Sequence, residues 1–280
     1  MFVNKYDLYE EFEVEKGPGY AGTLSAYLLE NSSEIDPDRR RPAVLICPGG
    51  AYVMTSDREA EAVAMRFLAK GFQAFILRYS CAPAAFPTQL VEASMAMALI
   101  RRNCEEFLVD RDRVGVIGFS AGGHLAGTLS TLYNDRRVFE VFDLELEENK
   151  PDFCILSYPV ISSDPELVNE LSLKSVSGGD AGLREFLSLE HRVHADVPPT
   201  FLWATANDGA VNVRNAINYA SALSEQGVPF ELHVFEDGVH GLSVADRETV
   251  TVGNRDYDNK NVAQWLPLVF NWLEHRGLTL

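Results

Sequence analysis

RVGVIGFSAGG, Arg113–Gly123, runs an apolar, β-branched segment directly into a glycine-flanked serine. Residues Arg113–Phe119 read as a buried strand, and Ser120 opens a helix that reaches about Tyr133. Gly118-Phe119-Ser120-Ala121-Gly122 is then a G-x-S-x-G placed at a strand-to-helix turn. A serine on so sharp a turn presents its hydroxyl outward, and side chains at the flanking positions would crowd the turn, so both are glycine. The bare pattern is weak; its position between strand and helix gives it weight. A phosphate-binding glycine turn is the competing reading, but the G-x-x-x-x-G-K-[ST] and G-x-G-x-x-G spacings are absent.

Outward from this turn, apolar strand-like runs alternate with helical patterns, the signature of a parallel α/β sheet of about eight strands flanked by helices. The strands are read at 20–30 (antiparallel), Arg41–Gly50, Gln73–Ser80, Arg113–Phe119, Phe153–Val160, Pro198–Ala206 and Phe230–Glu236. Helices are read at Asp57–Lys70 (Asp57 as N-cap, Gly71 as stop), Pro87–Leu108, Ser120–Tyr133, Val213–Gln226 and Val262–His275. No repeat or long linker divides the chain, so 1–280 is expected to be one domain. Asn134–Lys150 and Ile161–Val197 break the rhythm and are candidate insertions, the second (161–197) a small cap or lid.

The 280 residues correspond to roughly two domains at about 150 residues each, although α/β folds often hold this length as one. An apolar share of 46% and a charged share of 23% are ordinary for a globular chain. With 24 Lys+Arg against 41 Asp+Glu the formal charge is −17, which argues against nucleic acid and anionic membrane surfaces as partners. No signal-like N-terminus or membrane-length apolar run is visible. Cys47, Cys81, Cys104 and Cys154 are scattered without CxxC or metal-like spacing, so reduced thiols, a cytoplasmic location and no metal are expected. Cys47 and Cys154 lie in strand patterns and are read as core.

A neutral serine hydroxyl needs a base, and the base an orienting carboxylate. In strand–turn–helix serine hydrolases the acid and then the base follow the serine. His240 lies in the short loop Asp237–Gly241 after the last strand and is the candidate base. Asp208, in the loop after the preceding strand, is the candidate acid; Asp237 is a rival that fits the turn better. His124 and His233 read as structural, His275 as solvated, and His191 and His194, in the second insertion, as candidate pocket residues. Oxyanion donors are expected from the backbone N–H groups of Ala121 and of Gly50 and Ala51 in the turn CPGGAY. Tyr52 is a candidate substrate-binding residue, whereas Tyr79 and Trp203 read as packing. Arg58 is expected to make a structural ion pair, with Glu61 or an acidic loop residue. Trp265 and Trp272 share one face of the last helix, against the sheet or against a second copy, so a homodimer is a candidate assembly.

PGGAY, SDREAE, LRYS, GFSAGGHLAG, PPTFLWATANDGAV and FEDGVHGLS together resemble the α/β-hydrolase superfamily. Within it the chain is most similar to bacterial carbohydrate acetyl-esterases, the acetyl-xylan-esterase-like group akin to hormone-sensitive-lipase-like esterases, over roughly residues 40–275. The resemblance implies the α/β-hydrolase fold and the triad Ser120–Asp208–His240. It also implies a cofactor-free hydrolase that removes short acyl groups, acetyl above all, from sugars or oligosaccharides such as xylo-oligosaccharides. Three positions depart from the family pattern: Ala51 replaces a third glycine, Asn207 an acidic residue and Asn212 a proline. Some members of the group carry the name xylanase, but a glycosidase needs two carboxylates about a sugar ring, whereas these motifs make an acyl-transfer site. The alternatives are a prolyl-oligopeptidase-like peptidase, for whose usual propeller the chain has no room, and a non-catalytic hydrolase-fold binding protein, which would not need all three triad members.

Overall fold

Arg41–Cys47 (β3) is buried at every position, which requires partners on both edges and cover on both faces. It pairs in parallel with Gln73–Arg78 (β4) on one side and Val109–Phe119 (β5) on the other. Ala43, Leu45 and Cys47 enter one core while Val44 and Ile46 enter a second, the two-residue alternation of a strand. Past β5 the sheet stays parallel through Cys154–Ser157 (β6), Thr200–Thr205 (β7) and Phe230–Phe235 (β8). Past β4 it turns antiparallel through Thr23–Leu28 (β2) and Phe2–Asp7 (β1). This computed structural model, which describes residues 1–280, therefore has one eight-stranded sheet in the order β1-β2-β4-β3-β5-β6-β7-β8.

The helices are Leu8–Glu11 (α1), Glu61–Leu68 (α2), Thr88–Arg102 (α3), Ala121–Leu132 (α4), Arg136–Phe139 (α5), Glu170–Ser177 (α6), Ala181–Phe186 (α7), Arg214–Glu225 (α8) and Trp265–His275 (α9). α3, α4 and α8 cover one face, contributing Leu90, Leu125 and Tyr219 to its core. α2 and α9 cover the other with Phe67, Trp265 and Phe270. Trp265 stacks on Trp203 of β7 at 5.2 Å, and Trp272 lies 5.8 Å from Phe201, so both helix tryptophans face the sheet. Cys47 and Cys154 are buried, as their strand positions require. No helix is long and apolar enough to cross a membrane.

Several elements differ from the sequence reading. β1 has no alternating apolar pattern; it forms because β2 presents a free edge. The 57–70 helix is broken: Asp57–Glu59 is a 3-10 turn, the chain kinks at Ala60, and α2 starts at Glu61. Asp57 caps nothing and instead pairs with Arg78 at 2.9 Å. Gly71 does end the segment, at φ +85°. α3 stops at Arg102, where the Asn103 amide donates to the Leu99 carbonyl, and β5 begins at Val109 instead of Arg113. β6 stops at Ser157 because Tyr158, at φ +37°, turns the chain out of the strand.

Two features of this topology set the site. Chain order reverses about β3, since β4 lies on one side and β5 on the other, and ligand crevices form at the carboxyl ends of strands at such a point. In register, Cys47 faces Gly118, and Thr205 faces Phe235. The turn after β3 therefore meets the turn after β5, and the loops after β7 and β8 leave side by side.

Candidate active site

Ser120 sits between β5 and α4 at φ 54° and ψ −118°, a conformation that L-residues avoid unless the surroundings hold it. The surroundings do so through contacts with no spare room. A Cβ on Gly118 would lie 2.0 Å from the Gly122 carbonyl oxygen, and one on Gly122 would lie 2.0 Å from that of Cys47. The Ser120 amide donates to the Ser157 carbonyl at 3.0 Å, and its own carbonyl accepts from His124 and Val160. Its hydroxyl is left facing the crevice.

His240 Nε2 lies 2.8 Å from Ser120 Oγ, and Nδ1 lies 2.7 Å from Asp208 Oδ2. The other oxygen of Asp208 accepts the backbone N–H groups of Ala210 at 2.8 Å and Val211 at 3.0 Å. A carboxylate loaded this way can only accept, so Nδ1 carries the proton and Nε2 is the free acceptor for the serine hydroxyl. The Asp208 side chain is 1% exposed and that of His240 is 23%, so the acid is sealed and the base reaches the cavity. Asp237 serves the loop, accepting from Asn207 and, at its carbonyl, from Asn259. Asn207 also accepts from the Gly238 amide at 2.9 Å and so ties the acid loop to the base loop. Asn212 accepts from Arg214 at 2.9 Å, at the start of α8.

Gly50 and Ala51 line the same cavity as Ser120 and His240, and neither N–H donates within the protein. The Ala121 N–H belongs to the first turn of α4, which has no intrahelical acceptor. Ala51 adopts φ +55°, the left-handed region where a glycine would rest without strain. The cavity, of about 600 Å³, is further lined by Val53, Met54, Arg58, Glu59, Asn169, Leu171 and Tyr257. Leu171 and Met54 are both 55% exposed, so its rim is apolar and open to solvent.

Three expected pocket residues lie elsewhere. Tyr52 is completely buried and donates to His124 Nδ1 at 2.8 Å; the left-handed turn at Ala51–Tyr52 swings it inward and leaves Val53 and Met54 at the rim. His191 lines a separate cavity with Glu185 and Glu190. His194 bonds the Thr131 carbonyl near the end of α4, 3.1 Å away, as the chain returns to the start of β7. Of the 161–197 segment only Asn169, Leu171 and Ser172 reach the cavity. The 134–150 segment lines none of it, and packs on α3 through Arg102–Glu148 and Asn149–Ser94 instead. Arg58 does not pair with Glu61, which faces Arg78. It donates to the Thr249 carbonyl at 3.0 Å and lies 3.9 Å over the Tyr257 ring.

The sequence reading missed Glu59 and Tyr158. Glu59 Oε2 accepts from the Gly49 amide at 2.7 Å, and Oε1 accepts from the Tyr158 hydroxyl at 2.6 Å. That hydroxyl accepts from the Ser243 amide at 2.9 Å, and the tyrosine ring stands edge-on to His240 at 5.0 Å. Burial pushes the Glu59 carboxyl up, and the Tyr158 and Gly49 donors oppose the shift. The only sequence signal was an acidic residue at a helix start, which ordinarily faces water.

The BD-FAE family model matches residues 33–158. The structure of an acetyl ester-xyloside bifunctional hydrolase from Caldicellulosiruptor lactoaceticus superposes with a TM-score of 0.78 at 36% identity, covering 92% of this chain and 89% of that one. Endo-1,4-beta-xylanase B of Butyrivibrio fibrisolvens is 33% identical over 85% of this chain and 37% of its own length. An acetylxylan esterase of Xylanibacter ruminicola is 29% identical over 71% of this chain and 41% of its own. The chain thus spans less than half the length of these two curated relatives.

Proposed function

The chain belongs to the α/β-hydrolase superfamily, in its acetyl-xylan-esterase-like group, and from that premise we propose that it is a serine carboxylic-ester hydrolase that removes acetyl groups from sugars such as xylo-oligosaccharides. The observation that carries this is the unbroken Ser120–His240–Asp208 chain, at 2.8 and 2.7 Å, facing an open cavity. Ser120 Oγ attacks the ester carbonyl carbon while its proton passes to His240 Nε2. The carbonyl oxygen, now an anion, is held by the N–H groups of Gly50, Ala51 and Ala121. Collapse breaks the bond to the sugar oxygen, which takes the proton from Nε2. Water, giving a proton to the same nitrogen, then attacks the acyl-enzyme, and that proton returns to Ser120 Oγ as acetic acid leaves and ionises in solution.

The acetyl-sugar assignment draws on the relatives' names, and the ester chemistry on the residues. One structural relative is called a xyloside hydrolase as well as an ester hydrolase. Glu59 is the one carboxylate lining this cavity, and both its oxygens are engaged, whereas glycoside cleavage uses two carboxyl groups about the bond. We also propose a cytoplasmic location; its support is four free thiols, and cell fractionation tests it.

The test of function is acetate release from acetylated xylo-oligosaccharides, beside a p-nitrophenyl ester chain-length series. Release by the wild type and not by Ser120→Ala, with the ester series highest at acetate, is expected. A series that peaks at octanoate or longer contradicts the short-acyl assignment, and wild-type rates equal to those of Ser120→Ala contradict the esterase itself.

A further inference from the structure

Glu59 is 4% exposed yet ionisable, and a buried carboxylate is costly unless its oxygens are satisfied. Here each oxygen receives a donor, the Gly49 amide and the Tyr158 hydroxyl. The Tyr158 hydroxyl donates to Glu59 while its oxygen accepts the Ser243 amide. A proton on either Glu59 oxygen would meet a donor, so the arrangement suits the anion. Glu59 therefore grips the residue before Gly50 with one oxygen. With the other it holds, through Tyr158, the base loop three residues after His240. A Cβ on Gly49 would lie 2.7 Å from Glu59 Oε2 and 3.0 Å from Ser120 Cβ, so this contact also abuts the nucleophile.

We propose that Glu59 is a positioning residue for the esterase reaction: as an anion it sets the spacing between the oxyanion turn and the base loop, and its charge favours the imidazolium that His240 becomes when it accepts the Ser120 proton. This deepens the esterase reading and rests on it. The charged and titratable groups that face Glu59 are His240, Arg58 and the hydroxyls of Tyr158 and Tyr79. Arg58 is held by Thr249, Thr251 and the Tyr257 ring. Burial raises the Glu59 carboxyl, while its donors and the neighbouring His240 and Arg58 act to keep it ionised.

Glu92 provides the comparison. It too is buried and accepts from a tyrosine and a backbone amide, Tyr9 and Ser80, but it lines no part of the cavity. The experiment is p-nitrophenyl acetate hydrolysis across the pH range by wild type, Ser120→Ala, Glu59→Gln, Tyr158→Phe and Glu92→Gln, with a thermal melt of each. Glu59→Gln should lower kcat roughly 10- to 100-fold at nearly constant KM. Its acid limb should move to lower pH, because loss of the anion disfavours imidazolium. Tyr158→Phe keeps the carboxyl group and its Gly49 donor, and should lower kcat while moving that limb less than Glu59→Gln does. Glu92→Gln should lower the melting temperature alone. A Glu59→Gln enzyme with kcat within about twofold of wild type and a coincident acid limb overturns the proposal. So does a Glu92→Gln enzyme that reproduces its kinetic changes. Should Glu59→Gln not fold, Tyr158→Phe decides: kcat within about twofold of wild type overturns the proposal. Wild-type turnover no greater than that of Ser120→Ala overturns the esterase reading instead, and is told apart by that control.

Discussion

Asp208 decides which nitrogen of His240 carries a proton, and so whether Ser120 has a base. Asp208→Asn can turn its amide N–H toward Nδ1, which places the imidazole proton on Nε2, facing a hydroxyl it can no longer deprotonate. The substitution is expected to lower kcat by about 10⁴-fold, with an unfolding midpoint near that of wild type; steady-state kinetics and a urea titration check both. The meeting of Ser120, His240 and Asp208 was readable in the sequence because each lies within a few residues of a strand's carboxyl end. Tyr52 misled because one left-handed turn, at Ala51–Tyr52, decides which of three successive side chains faces the cavity. Glu59 stayed hidden because burial of a charge is decided by partners 10 and 99 residues away.

The elbow between β5 and α4 works through contact. Gly122 packs against the turn after β3, and a Cβ there would meet the Cys47 and Pro48 carbonyl oxygens at 2.0 and 2.4 Å. Gly122→Ala must push α4 away from that turn. It should cost about 1–3 kcal/mol of stability and lower kcat too, because the Ala121 and Gly50 donors separate; urea unfolding with kinetics on the soluble fraction measures both.

The first turns of α4 also hold His124, fully buried between the Tyr52 hydroxyl and the Leu187 carbonyl. Nε2 donates to Leu187 and Nδ1 accepts from Tyr52, so the neutral form fits. Burial pulls its pKa down from 6.5 to about 4. The unfolded chain thus binds the proton more readily, and stability falls as pH drops through about 6.5 towards 4. This group should make the protein about 2 kcal/mol less stable at pH 5 than at pH 7. A His124→Asn variant should lose that share of the pH dependence, as read by urea unfolding at both pH values. An unchanged slope contradicts the assignment. Helix ends were the least readable feature here: the kink at Ala60 exists to bring Glu59 inward, and nothing in DREAEAVAMRFLAK encodes that demand.

Across the protein, the parallel core of the sheet was readable because fully buried strands are continuous apolar runs. β1 was not, because an edge strand with exposed Phe2 and Val3 takes its pairing from β2 and not from its own pattern. Of the 161–197 segment, read as a candidate cap, only three residues reach the cavity, and its histidines pack elsewhere. Chain order about β3 is what unites loops from β3, β5, β7 and β8 around one serine, and the proposed esterase chemistry depends on that convergence. Labelling with a fluorophosphonate, followed by peptide mass spectrometry, tests it most directly. One adduct per chain, on Ser120, forming in step with loss of p-nitrophenyl acetate hydrolysis and absent from His240→Ala, is the predicted result. An adduct at another residue, or hydrolysis that survives full modification of Ser120, would contradict it.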